Sequence, residues 1–400
     1  MRVKLLLSVL AVAAVAALPA QTPAQAKELK FAFQGTLNSL DPYNLNETFH
    51  LGFQGNIYEG LVRRGGDLKI EPALATSWEV MEPTRWRFHL RKGVKFHDGS
   101  PFTADDVLFS ADRSRAEGSD VKTRIAADTK VIKVDDHTVD FITSKPNPII
   151  FFEWGTWYIM SKSWAEKNNA VKPQAMSKDE ENYATRHANG TGPFMLVSHE
   201  SGVKTVAEVN PNWWDNANKE HNLTKIIFTP IGSDATRVAA LLSGQVDMAY
   251  PVPVQDQKRV DSNSGTRMLV GPELRTIFLG FDQHSDELLY SNVKGKNPFK
   301  DKRVREAFFR AIDINAIKKK VMRGLSDPSA LMISPALTAA PKGHYKRRSF
   351  DLAKAKKLLA DAGYPNGFET SMDCPNDRYV NDEAICQAVV SMLAKAGVKV

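Results

Sequence analysis

Trp86-Arg87-Phe88-His89-Leu90-Arg91-Lys92-Gly93-Val94-Lys95-Phe96-His97-Asp98-Gly99, continued after Ser100 by Pro101-Phe102-Thr103-Ala104-Asp105-Asp106-Val107, carries two kinds of periodicity in one short stretch. Trp86, Phe88 and Leu90 alternate with polar residues, and so do Val94 and Phe96, the pattern of half-buried strands. Lys92-Gly93 supplies a turn between them. Beyond the His-Asp-Gly turn the period changes. Thr103 stands where a helix would begin, and Asp106 three residues on completes a capping-box pair with it. Sheet gives way to helix here, so the chain mixes the two.

Working outward, Trp78 and Val80 add another strand before the Glu82-Pro83-Thr84 turn, and Val131, Val134, Val139 and Phe141 predict a hairpin around Asp135-Asp136. Leu29, Phe31 and Phe33 predict a strand near the start. Downstream, strand and helix alternate. A strand over 226–229 precedes a helix that Asp234 can cap, carrying Val238, Leu241 and Leu242 and ending at Gly244. Short strands follow at 246–249 and at Ile277, Leu279 and Phe281. Val304, Phe308, Ala311 and Ile312 share a helical face. Asp313 opens a further helix, with Ile317 and Val321, closed by Gly324. Asp351 caps the next, which runs through Leu352, Ala355, Leu358, Leu359 and Ala362 to Gly363. Phe368, Thr370 and Met372 predict a strand. Ile385, Val389, Leu393 and Ala396 predict a last helix before Gly397. Alternation of this kind predicts an α/β fold with mixed sheets.

The first residues address the compartment. Arg2 and Lys4 precede an apolar run over 5–18, Pro19 interrupts it, and Ala24-Gln25-Ala26 offers the small-x-small pattern of signal-peptide cleavage. Residues 1–26 are therefore expected to be a signal peptide. The run is short for a membrane span, which wants about 20 apolar residues. No cysteine follows it that could carry a lipid. The remaining chain is long enough for two or three subdomains. The formal net charge of +7 over all 400 residues comes from interspersed charges, which argues against a nucleic-acid partner. An exported, soluble monomer is the expectation.

Catalytic signatures are missing from the sequence. It has no G-x-S-x-G elbow, no phosphate-binding loop and no G-x-G-x-x-G. The nine histidines, among them His97, His187, His199 and His284, show no metal-ligand spacing. Ser201-Gly202-Val203-Lys204 fits S-x-x-K but does not open a helix. A secreted hydrolase is the remote alternative, and no catalytic residue, metal or cofactor is assigned. The two cysteines, Cys374 and Cys386, flank a short connection and are expected to form a disulfide in an oxidising compartment.

The opening stretch, together with Leu74-Ala75-Thr76-Ser77-Trp78, Gly190-Thr191-Gly192-Pro193-Phe194, Ser243-Gly244-Gln245-Val246-Asp247, Val304-Arg305-Glu306-Ala307, Ala311-Ile312-Asp313 and the run from Ala353-Lys354-Ala355 to Gly363-Tyr364-Pro365, resembles family 5 of the solute-binding proteins of ABC importers, which includes oligopeptide-, dipeptide- and nickel-binding members. The resemblance covers everything after residue 26. It implies a two-lobed periplasmic binding protein of the type II-like large cluster, with a ligand cleft between lobes. Lobe one would comprise 27–70 and 195–283, with 71–194 inserted as an extra subdomain, and lobe two would comprise 284–400. The final Val398-Lys399-Val400 looks like a strand just starting, so the C-terminal return to lobe one is expected to lie beyond the chain.

The same resemblance implies a periplasmic, non-enzymatic protein that captures a small peptide or peptide-like solute and delivers it to an ABC permease in the cytoplasmic membrane. A nickel or other metal chelate, an opine or an oligosaccharide is the alternative cargo. Candidate ligand-binding residues are Arg378, Tyr250, Trp157 and Tyr158. Arg378 lies in Cys374-Pro375-Asn376-Asp377-Arg378-Tyr379, where dipeptide-binding members place an arginine for the ligand's carboxylate. A guanidinium suits that task because it stays charged and offers a planar fork. Asn46-Glu47-Thr48, after the first strand, could offer backbone groups to an extended ligand.

Overall fold

The computed structural model describes residues 27–177, 181–271, 273–334 and 342–400. The expected signal peptide lies outside the described residues. Eleven strands are present among those described: β1 (Lys27–Phe33), β2 (Val62–Arg64), β3 (Ile70–Pro72), β4 (Ala75–Glu82), β5 (Arg85–Leu90), β6 (Lys130–Asp135), β7 (Thr138–Ile142), β8 (Phe194–Glu200), β9 (Lys204–Val209), β10 (Leu223–Pro230) and β11 (Met248–Tyr250).

They form a mixed five-stranded sheet in the order β11-β1-β10-β9-β8, an antiparallel four-stranded sheet in the order β4-β5-β7-β6, and a small β2-β3 pair. β1 is central. It runs parallel to β10, with Phe31 opposite Phe228, and parallel to β11, with Phe31 opposite Met248. This pairing explains the Ser-Gly-Gln-Val-Asp motif. Gly244, at φ +74°, ends the helix Asp234–Leu242. Three residues later Asp247 locks onto β1, its carboxylate accepting from the Lys30 amide at 2.8 Å and its own amide donating to the Lys30 carbonyl at 2.8 Å.

The hairpins β4-β5 and β6-β7 form as their alternation predicts, and β5 and β7 join them into one sheet. Phe88, Val139 and Phe141 face inward with no measurable exposure. Asp106 caps the helix Ala104–Arg115, its carboxylate accepting from the Thr103 amide at 2.9 Å and the Thr103 hydroxyl at 3.4 Å. The helix then contributes Arg113 to a fully buried fork-on-carboxylate pair with Asp41, at 2.6 and 2.5 Å.

Several expectations change. Gly190 and Gly192 are needed for close approach: a Cβ on either would collide with the Ile57 carbonyl oxygen. Val94 and Phe96 belong to a turn closed by a single bridge, Lys95 to Pro101, and not to a third full strand. Ile277, Leu279 and Phe281 have no ladder partners among the described residues, and the strand expected at Phe368 to Met372 is reduced to one bridge between Glu369 and Lys399. Alternation marks a chain ready to pair, but a strand also needs a neighbour. Ser233, not Asp234, caps the helix Asp234–Leu242.

Apolar residues gather in separate cores. The largest joins Phe33, Leu37, Leu40 and Tyr43 to the four-stranded sheet and to Trp154, Trp157 and Tyr158. Another, from Val254 to Val398, packs the helices Lys302–Ala311, Leu352–Asp361 and Asp382–Lys395 around Phe299, Phe308 and Phe368. No helix among the described residues is long and apolar enough to cross a membrane.

Candidate functional site

Three parallel strands, β11, β1 and β10, point their C-terminal ends the same way. In α/β sheets such ends are where side chains and free backbone groups collect around a ligand. Arg237 fastens this edge from beneath. Wholly buried, it donates to the carbonyl oxygens of Ile231 at 2.7 Å, Gly232 at 3.2 Å and Pro251 at 2.9 Å, so the exits of β10 and β11 share one guanidinium.

Above this floor stands an aromatic stack. The Phe33 ring, last in β1, lies 3.8 Å from Phe49 at 11° and 5.7 Å from Tyr250 at 13°. Glu47 caps the helix Thr48–Gln54 that carries Phe49, accepting from the His50 amide at 3.0 Å. Just beyond β1, Gln34 is buried, and its side-chain nitrogen has no hydrogen-bond partner among the described residues. Gly35 follows, and a Cβ built on it would stand 2.9 Å from the Phe33 ring and 4.0 Å from the Asp377 carbonyl oxygen. The loop carrying Arg378 therefore abuts the end of β1.

That loop is built to hold its shape. Cys374 and Cys386 are joined by a disulfide, with Cα atoms 6.5 Å apart. Asn381, at φ +57°, donates from its side chain to the Val321 carbonyl at 3.0 Å. The buried Asp382 carboxylate accepts from the amides of Arg378 at 2.9 Å and Tyr379 at 3.3 Å. Asp382 is thus committed to backbone. The Arg378 guanidinium is exposed and makes no hydrogen bond or ion pair among the described residues.

Two further charges enter from the run after β11, and a Glu-x-Arg spacing was their only mark in the sequence. Arg275 donates its Nε to Glu273 Oε1 at 2.7 Å, with side chains 20% and 48% exposed. Their fields reach both sides of the site. Burial raises the Tyr250 hydroxyl's pKa above its ordinary value, Glu273 pushes it further, and Arg275 opposes. Burial likewise raises that of Tyr379, helped by Asp382 and opposed by Arg378 and Arg275. Electrostatically, Glu273 and Arg275 bear on Tyr250, and Arg275 and Arg378 bear on Tyr379, which links the end of β11 to the neighbourhood of the Arg378 loop.

Trp157 and Tyr158 lie elsewhere. The Trp157 ring is 1% exposed and packs against Phe141 and Trp154. Tyr158 donates its hydroxyl to the Leu51 carbonyl at 2.7 Å. Both rings are occupied in the core and take no part in the neighbourhood of Tyr250 and Arg378. Among the described residues no group of three or more His, Cys, Asp or Glu is placed to hold a metal ion.

Known proteins share this architecture. The glutathione-binding protein GsiB of Shigella flexneri is 27% identical over 389 residues, 96% of this chain and 70% of its own length. The solved binding protein AgaA of A. tumefacien R10, in complex with agropinic acid, superposes with a TM-score of 0.75 at 27% identity, over 93% of this chain and 72% of that one. The ABC transporter-associated periplasmic binding protein DppA of Helicobacter pylori, in complex with the peptide STSA, gives 0.73 at 26% identity, over 94% and 73%. Residues 69–400 match the model of the bacterial extracellular solute-binding proteins, family 5, and the chain belongs to that family.

Proposed function

We propose that this chain captures a small peptide or peptide-like solute in the periplasm and delivers it to an ABC permease, with Arg378 holding the solute's carboxylate. The unpaired guanidinium of Arg378, on a loop fixed by a disulfide and by Asp382, carries this reading. Fixing the loop beforehand lowers the ordering cost of binding. The fork matches a carboxylate on two parallel hydrogen bonds. Residues 27–70 with 195–283 form one lobe, 71–194 the inserted subdomain and 284–400 the second lobe. The pairing of β1 with β10 and β11, and the separate core that gathers most of its buried residues from Leu288 to Val398, support that division. Ligand enters between the lobes, at the end of β1, and closure brings the Arg378 loop onto it. The protein acts by binding, as a monomer, after removal of residues 1–26.

The agropinic acid in AgaA favours a second cargo, an opine, whose carboxylate the same guanidinium could hold. Calorimetry tests the reading: Ala-Phe and its C-terminal amide are titrated into the wild type and Arg378→Ala. The wild type should prefer the free acid, and the variant should lose on the order of 3 kcal/mol, since it leaves a desolvated charge unpaired. Equal binding of acid and amide by the wild type would remove the carboxylate clamp.

A further inference from the structure

The disulfide that fastens the Arg378 loop is open to solvent on one side. Cys374 is exposed, while Cys386, on the helix Asp382–Lys395, is half-buried. Both cysteines line an open hollow of about 590 Å³, whose polar wall is Asn376, Glu383, Gln387 and Ser391. A space of that size takes a small molecule, and this one brings it against the two sulfurs. Exposed disulfides are the labile and regulatory ones, in contrast to enclosed structural bridges.

Its place in the loop gives the bond a task beyond stability. From Arg378 onward other groups hold the chain: Asp382 takes the amides of Arg378 and Tyr379, and Asn381 donates to the Val321 carbonyl. Ahead of Arg378, back to Thr370 on the Lys399 carbonyl at 2.9 Å, the disulfide is the tether between loop and helix. Opening it frees the chain leading into the arginine and leaves the far side pinned. Val389 and Leu393 keep the same helix in the core. Opening therefore alters the aim of one guanidinium without unfolding the lobe.

We propose that Cys374 is a thiol-exchange site, at which a low-molecular-weight thiol opens the bridge to Cys386 and lowers the affinity of the Arg378 loop for a carboxylate. The thiolate attacks the exposed Sγ of Cys374. A new S–S bond forms as the bond to Cys386 breaks, and the electron pair leaves on the Cys386 sulfur, which takes a proton from water. The product is a mixed disulfide on Cys374 beside a free Cys386 thiol. A second thiolate displaces Cys374 in turn, so two thiols are oxidised to one external disulfide for one bond reduced. Return attack by Cys386 on the mixed disulfide expels the first thiol and restores the bridge. Solute capture then follows the thiol content of the compartment.

The affinity half of the proposal rests on the carboxylate-clamp reading; the exchange half does not, and the experiment keeps them apart. Folded, oxidised protein is incubated with cysteamine, a thiol with no carboxylate to compete for Arg378, then quenched with N-ethylmaleimide and mapped by mass spectrometry. Ala-Phe and its C-terminal amide are titrated into three forms: oxidised wild type, wild type reduced under native conditions, and Cys386→Ser carrying cysteamine on Cys374. Thermal unfolding checks that each is folded. The map should show cysteamine on Cys374 and maleimide on Cys386. Affinity for Ala-Phe should fall about tenfold in the reduced and adducted forms, the cost of re-ordering a loop that had been held, with little change for the amide. A bridge that opens only in denaturant, or an adduct on Cys386 instead, overturns the exchange site and leaves the clamp standing. Reduced protein that binds Ala-Phe as tightly as oxidised protein overturns the control of affinity. Oxidised wild type that binds acid and amide alike removes the clamp and the affinity half with it, while the mass map still decides the exchange.

Discussion

Asp382 holds the backbone of Arg378 rather than its side chain: the carboxylate accepts from the Arg378 amide at 2.9 Å and leaves the guanidinium without a partner among the described residues. A local ion pair would have neutralised the arginine. This arrangement presents it. Asp382→Ala should leave the buried amides of this turn unsatisfied, lower stability by about 1–3 kcal/mol and weaken ligand binding although Arg378 is untouched. Denaturant unfolding and calorimetry on the same variant check both effects. A variant that lost stability but bound normally would show that the loop does not depend on this anchor.

The disulfide closes a segment of sequence separation 12. Loop entropy alone assigns a bridge of that span about 3 kcal/mol. Cys386→Ser is expected to lower the unfolding free energy by that order and to soften the Arg378 loop. Thiol labelling of denatured, unreduced wild type should find no reactive thiol, and two would remove the bridge.

Glu59 is nearly fully buried, and its carboxylate accepts from Thr191 at 2.8 Å, Trp213 at 3.2 Å and Trp214 at 2.9 Å. Burial raises its pKa above the ordinary carboxylate value in spite of these donors. Across the window between its unfolded and its raised folded pKa, the native state binds more protons than the unfolded chain. The contribution of Glu59 to stability is therefore present at low pH and declines as pH rises through that window. Urea unfolding at a series of pH values should show the decline in wild type and its loss in Glu59→Gln. Glu59→Ala should cost about 3 kcal/mol, because it strands buried donors.

Export predicts a definite end. N-terminal sequencing of the secreted protein should begin at Lys27, the first residue of β1, whose amide donates to the Asn222 carbonyl at 3.2 Å. An intact Met1 in the membrane fraction would refute cleavage.

Much of the fold was legible because alternation reports one buried face. β5 and β7 carry Phe88 and Phe141 inward, so their hairpins could be read directly. The run at Ile277 to Phe281 shows the same alternation but has no ladder neighbour among the described residues, and sequence cannot say whether a partner strand is present. The site was legible in part. Arg378 was named through the resemblance, because dipeptide-binding members place an arginine at that connection between a strand end and a helix start. Glu273 and Arg275 were not named, because a charged pair spaced by one residue is the ordinary signature of surface. Trp157 and Tyr158 illustrate the converse: a large aromatic announces burial, and burial against a core looks the same in sequence as burial against a ligand.

β1 has a consequence for the order of events in time. It is made first, yet its partners come late: the Lys30 amide bonds to Asp247, 217 residues further on. Until β10 and β11 have been synthesised the strand has no neighbour, and long-range pairing of this kind is slow to nucleate. A chain threaded through a membrane from its N-terminus therefore keeps its central sheet open until more than half of its length has crossed. The inserted segment with its own antiparallel sheet can settle meanwhile. For a precursor exported through residues 1–26, as proposed above, such delay would keep the chain unfolded enough to cross and leave assembly of the β11-β1-β10 edge to the far side.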